Sequence, residues 1–410
     1  MMVTIHAKSD TPLSFRGGRN TSDTTTLPYI PGGALLGCLA GAHNIMRHNP
    51  AQFTRFFLQD SSGFGNLYPA SVKNASLQNN QLPVYPMPAT ARTCKRFKGF
   101  QFDAEKTHDH HGGQDQLLHW ALFELSGQSN IQTLNRDRLC TYLLDSGQAC
   151  NEPIDYFGGF YRRGENDRQW GSLQNRELLR THTGINRATG TVAQGILYSR
   201  SVLAENSEFW GTIWHADETA AELQAFIQEA SAAGLLRIGN NRTRGLGKIS
   251  LKVEEIQPDT PDALAKRIKA FNDRLRQMAK IDEIETPHNL YVPLTLTSDV
   301  ILYDHFLRHQ KHITPAYLAQ AWDIAGAALI YGNTHIRHVV GWNDLWRLPK
   351  ADDLAIGMGS VFLFGFTQPL DDDLLQKLFQ LQRQGIGSRR KEGFGQLLIA
   401  NPFHWEVNKV

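Results

Sequence analysis

One pattern occurs twice in this chain. Gly239-Asn240-Asn241-Arg242-Thr243-Arg244-Gly245-Leu246-Gly247-Lys248 runs into the apolar stretch Ile249-Ser250-Leu251-Lys252-Val253. Near the C-terminus, Gly385-Ile386-Gly387-Ser388-Arg389-Arg390-Lys391-Glu392-Gly393-Phe394-Gly395 runs into Gln396-Leu397-Leu398-Ile399. Each is a glycine-rich, cationic loop that delivers the chain into a strand. Glycine lets a backbone turn sharply and approach a ligand closely, and successive N–H groups in such loops make concavities that hold anions. Arg and Lys add donors suited to phosphate. Two such loops, each closing one half of the chain, predict a duplicated fold that binds a polyanion.

With 410 residues, two or three domains are expected. The formal net charge is only +2, so any nucleic-acid surface must be local, and the two loops are where cations gather. The segment Met1–Lys8 lacks the apolar centre of a signal peptide. No run of about 18 apolar residues exists, so no membrane span is expected. Four cysteines make no disulfide scaffold, and the cytoplasm is the expected compartment.

Val3, Ile5 and Ala7 alternate with more polar neighbours, as in a half-buried first strand. Pro28 and Pro31 lead into the small-residue segment Ala34–Ala42, which reads as a tightly packed first helix. Residues 88–175 read as an insertion, with its clearest helix at Gln114–Ser126. Strands follow at Val192–Leu203 and Phe209–Trp214, then a helix over Ala216–Ala233 stopped by Gly234. Residues 256–287, charged and helical between prolines, link the halves. A second cycle begins with a strand near Tyr291, continues through a strand pair between Val339 and Phe364, and has a helix over Asp371–Gln384 before the second loop. The shared order is β-α-β-β-α-β, the ferredoxin-like plan. The predicted fold class is α+β: two tandem ferredoxin-like domains, 1–255 with the insertion and 288–410, joined by the 256–287 helix.

Two further segments carry a resemblance. One is Arg180-Thr181-His182-Thr183-Gly184-Ile185-Asn186-Arg187-Ala188-Thr189-Gly190-Thr191 with Gly195-Ile196-Leu197-Tyr198. The other is Leu27-Pro28-Tyr29-Ile30-Pro31-Gly32-Gly33-Ala34-Leu35-Leu36-Gly37. Together with the glycine loops they resemble the RAMP superfamily of CRISPR-associated proteins, and within it the Csx family of type III-D effector complexes. The resemblance spans both halves. It implies RNA-recognition-motif-like domains and a subunit that caps the complex at the 5′ handle of the crRNA in antiviral defence. The implied partners are crRNA, other RAMP subunits and a large polymerase-cyclase-type subunit, with target RNA met indirectly.

On this reading Gly245, Gly247, Gly393 and Gly395 shape the backbone approach to RNA, and Arg242, Arg244, Lys248, Arg389, Arg390 and Lys391 contact phosphates. Arg16, Arg180, His182, Asn186 and Arg187 complete the expected set, because single-stranded RNA is read through splayed bases stacked on aromatic or Arg planes. Tyr198 and Trp210 either supply such faces or belong to the core. The competing reading of each loop is a solvated turn before a strand. A Walker A motif is excluded: Arg242 stands where the first glycine is required, and Ile249 follows Lys248 where Ser or Thr is required.

No catalytic residue is assigned. Metal-independent RNA cleavage needs a proton acceptor and a donor, for which His182, His43 and Arg187 are the candidates. A crRNA-processing ribonuclease and a structural bridge without RNA contact are therefore the alternatives. Polymerase or cyclase chemistry is not expected, for want of the paired acidic motifs, and His108-Asp109-His110-His111 lacks the second acidic cluster of a metal nuclease. No cofactor is assigned either. Cys94, His111, Cys140 and Cys150 form a weak zinc candidate, since nine residues lie between Cys140 and Cys150 and no close Cys-x-x-Cys pair exists.

Overall fold

A computed structural model describes residues 2–17, 25–59, 62–71, 82–101, 109–128, 138–164, 170–185, 188–215, 217–255, 259–343 and 348–407. The chain opens with β1 (Met2–Ser9), in which Val3, Ile5 and Ala7 turn to one buried face. Helix α1 (Gly32–Met46) starts behind the extended Pro31 and buries Leu35, Cys38, Leu39, Ala42 and His43, a stripe of helical spacing. Strand β2 (Ser62–Phe64) follows. Next come β3 (Ala91–Cys94), β4 (Gly113–Asp115), helix α2 (Leu117–Leu125) and β5 (Ile154–Tyr156), the strands forming a small sheet in the order β4-β3-β5. A separate antiparallel hairpin joins β6 (Glu177–Ile185) to β7 (Val192–Leu203). Strand β8 (Glu208–His215), helix α3 (Asp217–Ala232) and β9 (Ile249–Glu255) close the first lobe.

Helix α4 (Pro261–Ile281) then leads to β10 (Leu290–Leu296), α5 (Pro315–Trp322), β11 (Ala327–Asn333), β12 (Val361–Phe366), α6 (Asp372–Gln384) and β13 (Leu397–Ile399). The last described element is a short turn of helix at Phe403–Glu406. No described helix is long and apolar enough to cross a membrane.

The principal sheets run β9-β1-β8-β2 and β11-β12-β10-β13, with antiparallel pairings. Numbered within each lobe, both have the order 4-1-3-2 of the ferredoxin-like fold, so the protein is two such lobes in tandem. The insertion sits between the second and third strands of the first lobe.

The two glycine loops repeat each other bond for bond. Ile238 N–H donates to the Gly247 carbonyl at 2.8 Å, and Ile386 N–H to the Gly395 carbonyl at 2.9 Å. Gly247 N–H then reaches the Pro12 carbonyl at 3.0 Å, and Gly395 N–H the Asp299 carbonyl at 2.9 Å. Each loop carries one 3-10 turn, Arg242–Arg244 or Arg390–Glu392, entered through a left-handed residue, Asn241 or Arg389. Each therefore crosses the segment that follows its lobe's first strand. The pairing of each loop with its own entry, Ile238 or Ile386, explains the need for glycine at two positions of the predicted site. A Cβ on Gly247 would lie 2.2 Å from the Ile238 carbonyl oxygen, and one on Gly395 would lie 2.0 Å from that of Ile386.

The helix in the 256–287 link does more than join the halves. Thr260 caps α4, accepting from Ala263 N–H at 3.1 Å, and Pro261 occupies its first turn. Leu264, Ile268, Phe271, Leu275 and Ala279 then enter the core of the second lobe. The insertion also crosses over. Leu117, Leu118, Ala121 and Leu122 of α2 belong to that same core, each leucine contributing on the order of 1.5–3 kcal/mol by burial.

Below α2, the fully buried Asp115 accepts from Thr90 Oγ1 at 2.7 Å and from Leu117 N–H at 2.8 Å. It lies 3.2 Å from Nδ1 of the equally buried His404, whose Nε2 meets Thr295 Oγ1 at 2.7 Å. Burial opposes the Asp115 charge, but His404 and these donors hold its carboxyl below the usual range.

Candidate nucleic-acid interface

Strand alternation sorts the β6–β7 hairpin into two faces. Leu179, Ile185 and Leu197 are exposed, each by more than 60%, whereas Arg180 and His182 are half-buried on the opposite face. Register pairs Arg180 with Arg200 and His182 with Tyr198. The His182 and Tyr198 rings stack, with centroids 5.2 Å apart and planes 22° apart. From the first glycine loop, Arg244 Nη1 donates to the Tyr198 hydroxyl at 2.6 Å. The hairpin's inner face is thus tied to the loop.

Arg200 is the centre of this surface. Burial, and then the nearby charges of Arg16 and Arg244, lower its pKa. Its Nη1 is buried with no hydrogen-bond partner among the described residues. Arg180 has a distant carboxylate, Glu205, at 3.6 Å. Arg16, Arg200 and Arg244, from three separate segments, thus repel one another beside a stacked His–Tyr pair. Arg242, Arg244 and Gly245 are exposed next to this group. Lys248 faces Asp10 at 3.6 Å. Asn186 and Arg187, at the hairpin tip, lie outside the described residues.

The second loop is placed differently. Arg389 Nη1 donates to Asp353 at 2.9 Å and its Nη2 to Glu392 at 2.9 Å, while its guanidinium lies over the Phe394 ring at 4.8 Å. Burial works against the charges of Asp353 and Glu392, yet these contacts keep both carboxyls below their ordinary range. Arg389, expected to contact phosphate, is thus occupied by two carboxylates of the protein. Lys391 Nζ donates to the Leu58 carbonyl in the other lobe at 2.6 Å. The turn itself presses on the first lobe: a Cβ on Gly32 would meet the Glu392 carbonyl oxygen at 2.6 Å, and one on Gly393 the Phe64 carbonyl oxygen at 2.8 Å. Arg390 is the exposed cation of this loop. One signal separated the loops in the sequence: Glu392, a partner of Arg389, stands where the first loop has Arg244, while the facing lobe came into view only on folding.

The two histidines proposed for cleavage lie apart in the fold. His43 is fully buried, its Nε2 3.0 Å from Gln52 Oε1, and it packs edge-on against Phe53, Phe56, Phe57 and Phe226. It is a core residue. Trp210 is buried too. Arg200 escaped the sequence reading, although a signal was present: it lies two residues from Tyr198 on a strand, hence on the same face.

Elsewhere, Cys94, His111, Cys140 and Cys150 come together. Each offers one ligand atom, and these atoms all lie within 4.8 Å of one another.

No curated protein matches this chain. Solved structures similar to it include a chain of the type III-B Cmr-beta complex bound to cognate target RNA, at 13% identity over 96% of both chains with a TM-score of 0.43. Another is from Cmr-beta bound to cognate target RNA and AMPPnP, at 14% identity over 88% of this chain and 86% of that one, with a TM-score of 0.40. A third is from Cmr-beta in the apo state, at 12% identity over 62% of this chain and 98% of that one, with a TM-score of 0.30. Residues 153–250, which hold the hairpin, β8, α3 and the first glycine loop, match the RAMP superfamily, so the first lobe carries a RAMP segment.

Proposed function

We propose that this chain is a non-catalytic crRNA-binding subunit of a type III, III-D-like CRISPR effector complex, capping it at the 5′ handle of the crRNA. The observation that carries the reading is the gathering of Arg16 and Arg244 about Arg200, which pairs with Arg180 across the hairpin that holds the His182–Tyr198 stack. The RAMP match over residues 153–250, which hold all of these but Arg16, supports it. The arginines hold the ribose-phosphate strand, and the stacked rings receive an unstacked handle base, an interaction worth about 1–3 kcal/mol. Arg242 extends the phosphate track along the first loop. The second loop contributes Arg390 at its edge and otherwise braces the lobes. In the assembled particle the chain adjoins other RAMP subunits and the large polymerase-cyclase-type subunit, meeting target RNA through the complex in the cytoplasm.

Incubating the purified chain with labelled repeat RNA in EDTA tests this. A shifted, intact band is expected. Cut product would replace the reading with a crRNA-processing ribonuclease. An unshifted, intact band would leave a protein-only bridge.

A further inference from the structure

We propose that Cys94, His111, Cys140 and Cys150 bind one structural zinc ion. They come from separate stretches: Cys94 ends β3, His111 precedes β4, and Cys140 and Cys150 lie on opposite sides of a turn-rich segment. Three of the chain's four cysteines meet here, whereas Cys38 lies on α1. None is in a disulfide.

The supporting backbone is built for this convergence. Cys140 N–H donates to the Glu152 carbonyl at 2.8 Å, Asn151 N–H to the Cys140 carbonyl at 3.0 Å, and Cys150 N–H to the Tyr142 carbonyl at 2.8 Å. These bonds hold 138–154 as a ladder. Lys95 N–H joins it to β3 through the Pro153 carbonyl at 2.9 Å. His111 is aimed by the rings on either side of it. Its imidazole stacks on Phe97 and on Tyr142, each with centroids 4.2 Å apart, and its Nδ1 lies 3.4 Å from Cys140 Sγ.

The donor set selects the metal. A tetrahedral ion with Zn–S of about 2.3 Å sets its ligand atoms about 3.5–4 Å apart. The four atoms, none beyond 4.8 Å from another, reach that geometry with a small contraction. Soft thiolates disfavour magnesium and calcium, and a Cys3His set suits zinc. Binding releases the three thiol protons to solvent and uses the His111 Nδ1 lone pair, giving a centre with net charge of one negative. Lys95 and Arg96, next to Cys94, and Arg138, two residues before Cys140, are exposed cations beside these ligands in sequence. The 138–154 segment leaves Leu139 and Leu143 exposed, so it has little core of its own, and a metal cross-link supplies what burial does not.

The test is elemental analysis of the purified full chain together with cobalt substitution. One zinc per chain is expected. Cobalt-loaded chain should show thiolate-to-metal charge transfer and intense tetrahedral bands. Cys140→Ser and Cys150→Ser should each lose the metal, Cys38→Ser should keep it, and His111→Cys should retain it as a four-cysteine site. Hydrogen exchange under a zinc chelator should rise across 138–154 and not across α4. Wild-type chain that holds no zinc and gives weak, octahedral cobalt spectra would overturn the proposal. So would zinc retained in both serine variants. Should the serine variants fail to fold, the wild-type cobalt spectrum and the chelator exchange map decide alone.

Discussion

Gly247 and Gly395 show how one residue type serves two ends. The sequence marks them as ligand-binding glycines. The structure gives them left-handed backbones, φ 91° and 82°, against a facing carbonyl. Gly245 has the same handedness, φ 82°, but open space where a Cβ would go. The three positions should therefore respond differently to alanine. Gly247→Ala and Gly395→Ala add a backbone clash to the cost of a left-handed alanine and should lose about 2 kcal/mol or more. Gly245→Ala should lose about 1 kcal/mol, the handedness cost alone. Urea unfolding measures all three, and equal losses would refute the distinction. The residue types were legible in the sequence, and so was their need for unusual backbone. Which partner crowds Gly247 and Gly395 was not, because the Ile238 and Ile386 carbonyls are set against them only through folding.

At the scale of elements, the β6–β7 hairpin is the piece most available for binding without cost to the fold. Its outer face buries little, and it forms its own two-stranded sheet. Charge reversal on its inner face, or at the loop arginine tied to it, should therefore act on RNA rather than on stability. Arg200→Glu and Arg244→Glu should each weaken repeat-RNA binding at least tenfold. Each should also lower the slope of log affinity against log salt by about 0.7 for every phosphate left without its cation. Tyr198→Ala should weaken binding by about 1–3 kcal/mol with that slope unchanged, since stacking releases no counterions. Fluorescence anisotropy across a salt series reads both numbers. Unchanged slopes in the two charge reversals would remove these arginines from the interface. Strand β1 and helix α6 were readable from their apolar periods and α1 from its prolines and small residues, whereas the second strand of each lobe, β2 or β11, was not placed. The hairpin was readable as strand-like, but its inner face was not, because Arg200 looks like any solvated arginine until Arg16 and Arg244 are brought beside it.

For the molecule as a whole, the question is whether the two lobes unfold together. Sequence order assigns α2 to the insertion of the first lobe, yet its leucines complete the core of the second. The Asp115–His404 contact joins the same two parts inside that core, and the Tyr161 hydroxyl reaches Asn401 Oδ1 at 3.0 Å nearby. Such crossings are invisible to local pattern, since periodicity tells which face of α2 is buried and not against what. They predict one cooperative transition rather than two.

Asp115→Asn tests it. The substitution removes a buried charge that is stabilised by its surroundings, so it should cost about 3 kcal/mol. Because the folded carboxyl titrates below its ordinary value of 3.8, its contribution is complete above that pH and fades only as acid carries the solution through the lower, folded value. The stability gap between wild type and variant should thus stay constant from about pH 8 down to about pH 5. Hydrogen exchange at neutral pH should show both β8 and β12 opening faster in the variant, one strand from each lobe. If the gap narrows well before pH 5, the carboxyl is not held charged. If β12 alone responds, the lobes unfold separately and the crossing of α2 does not couple them.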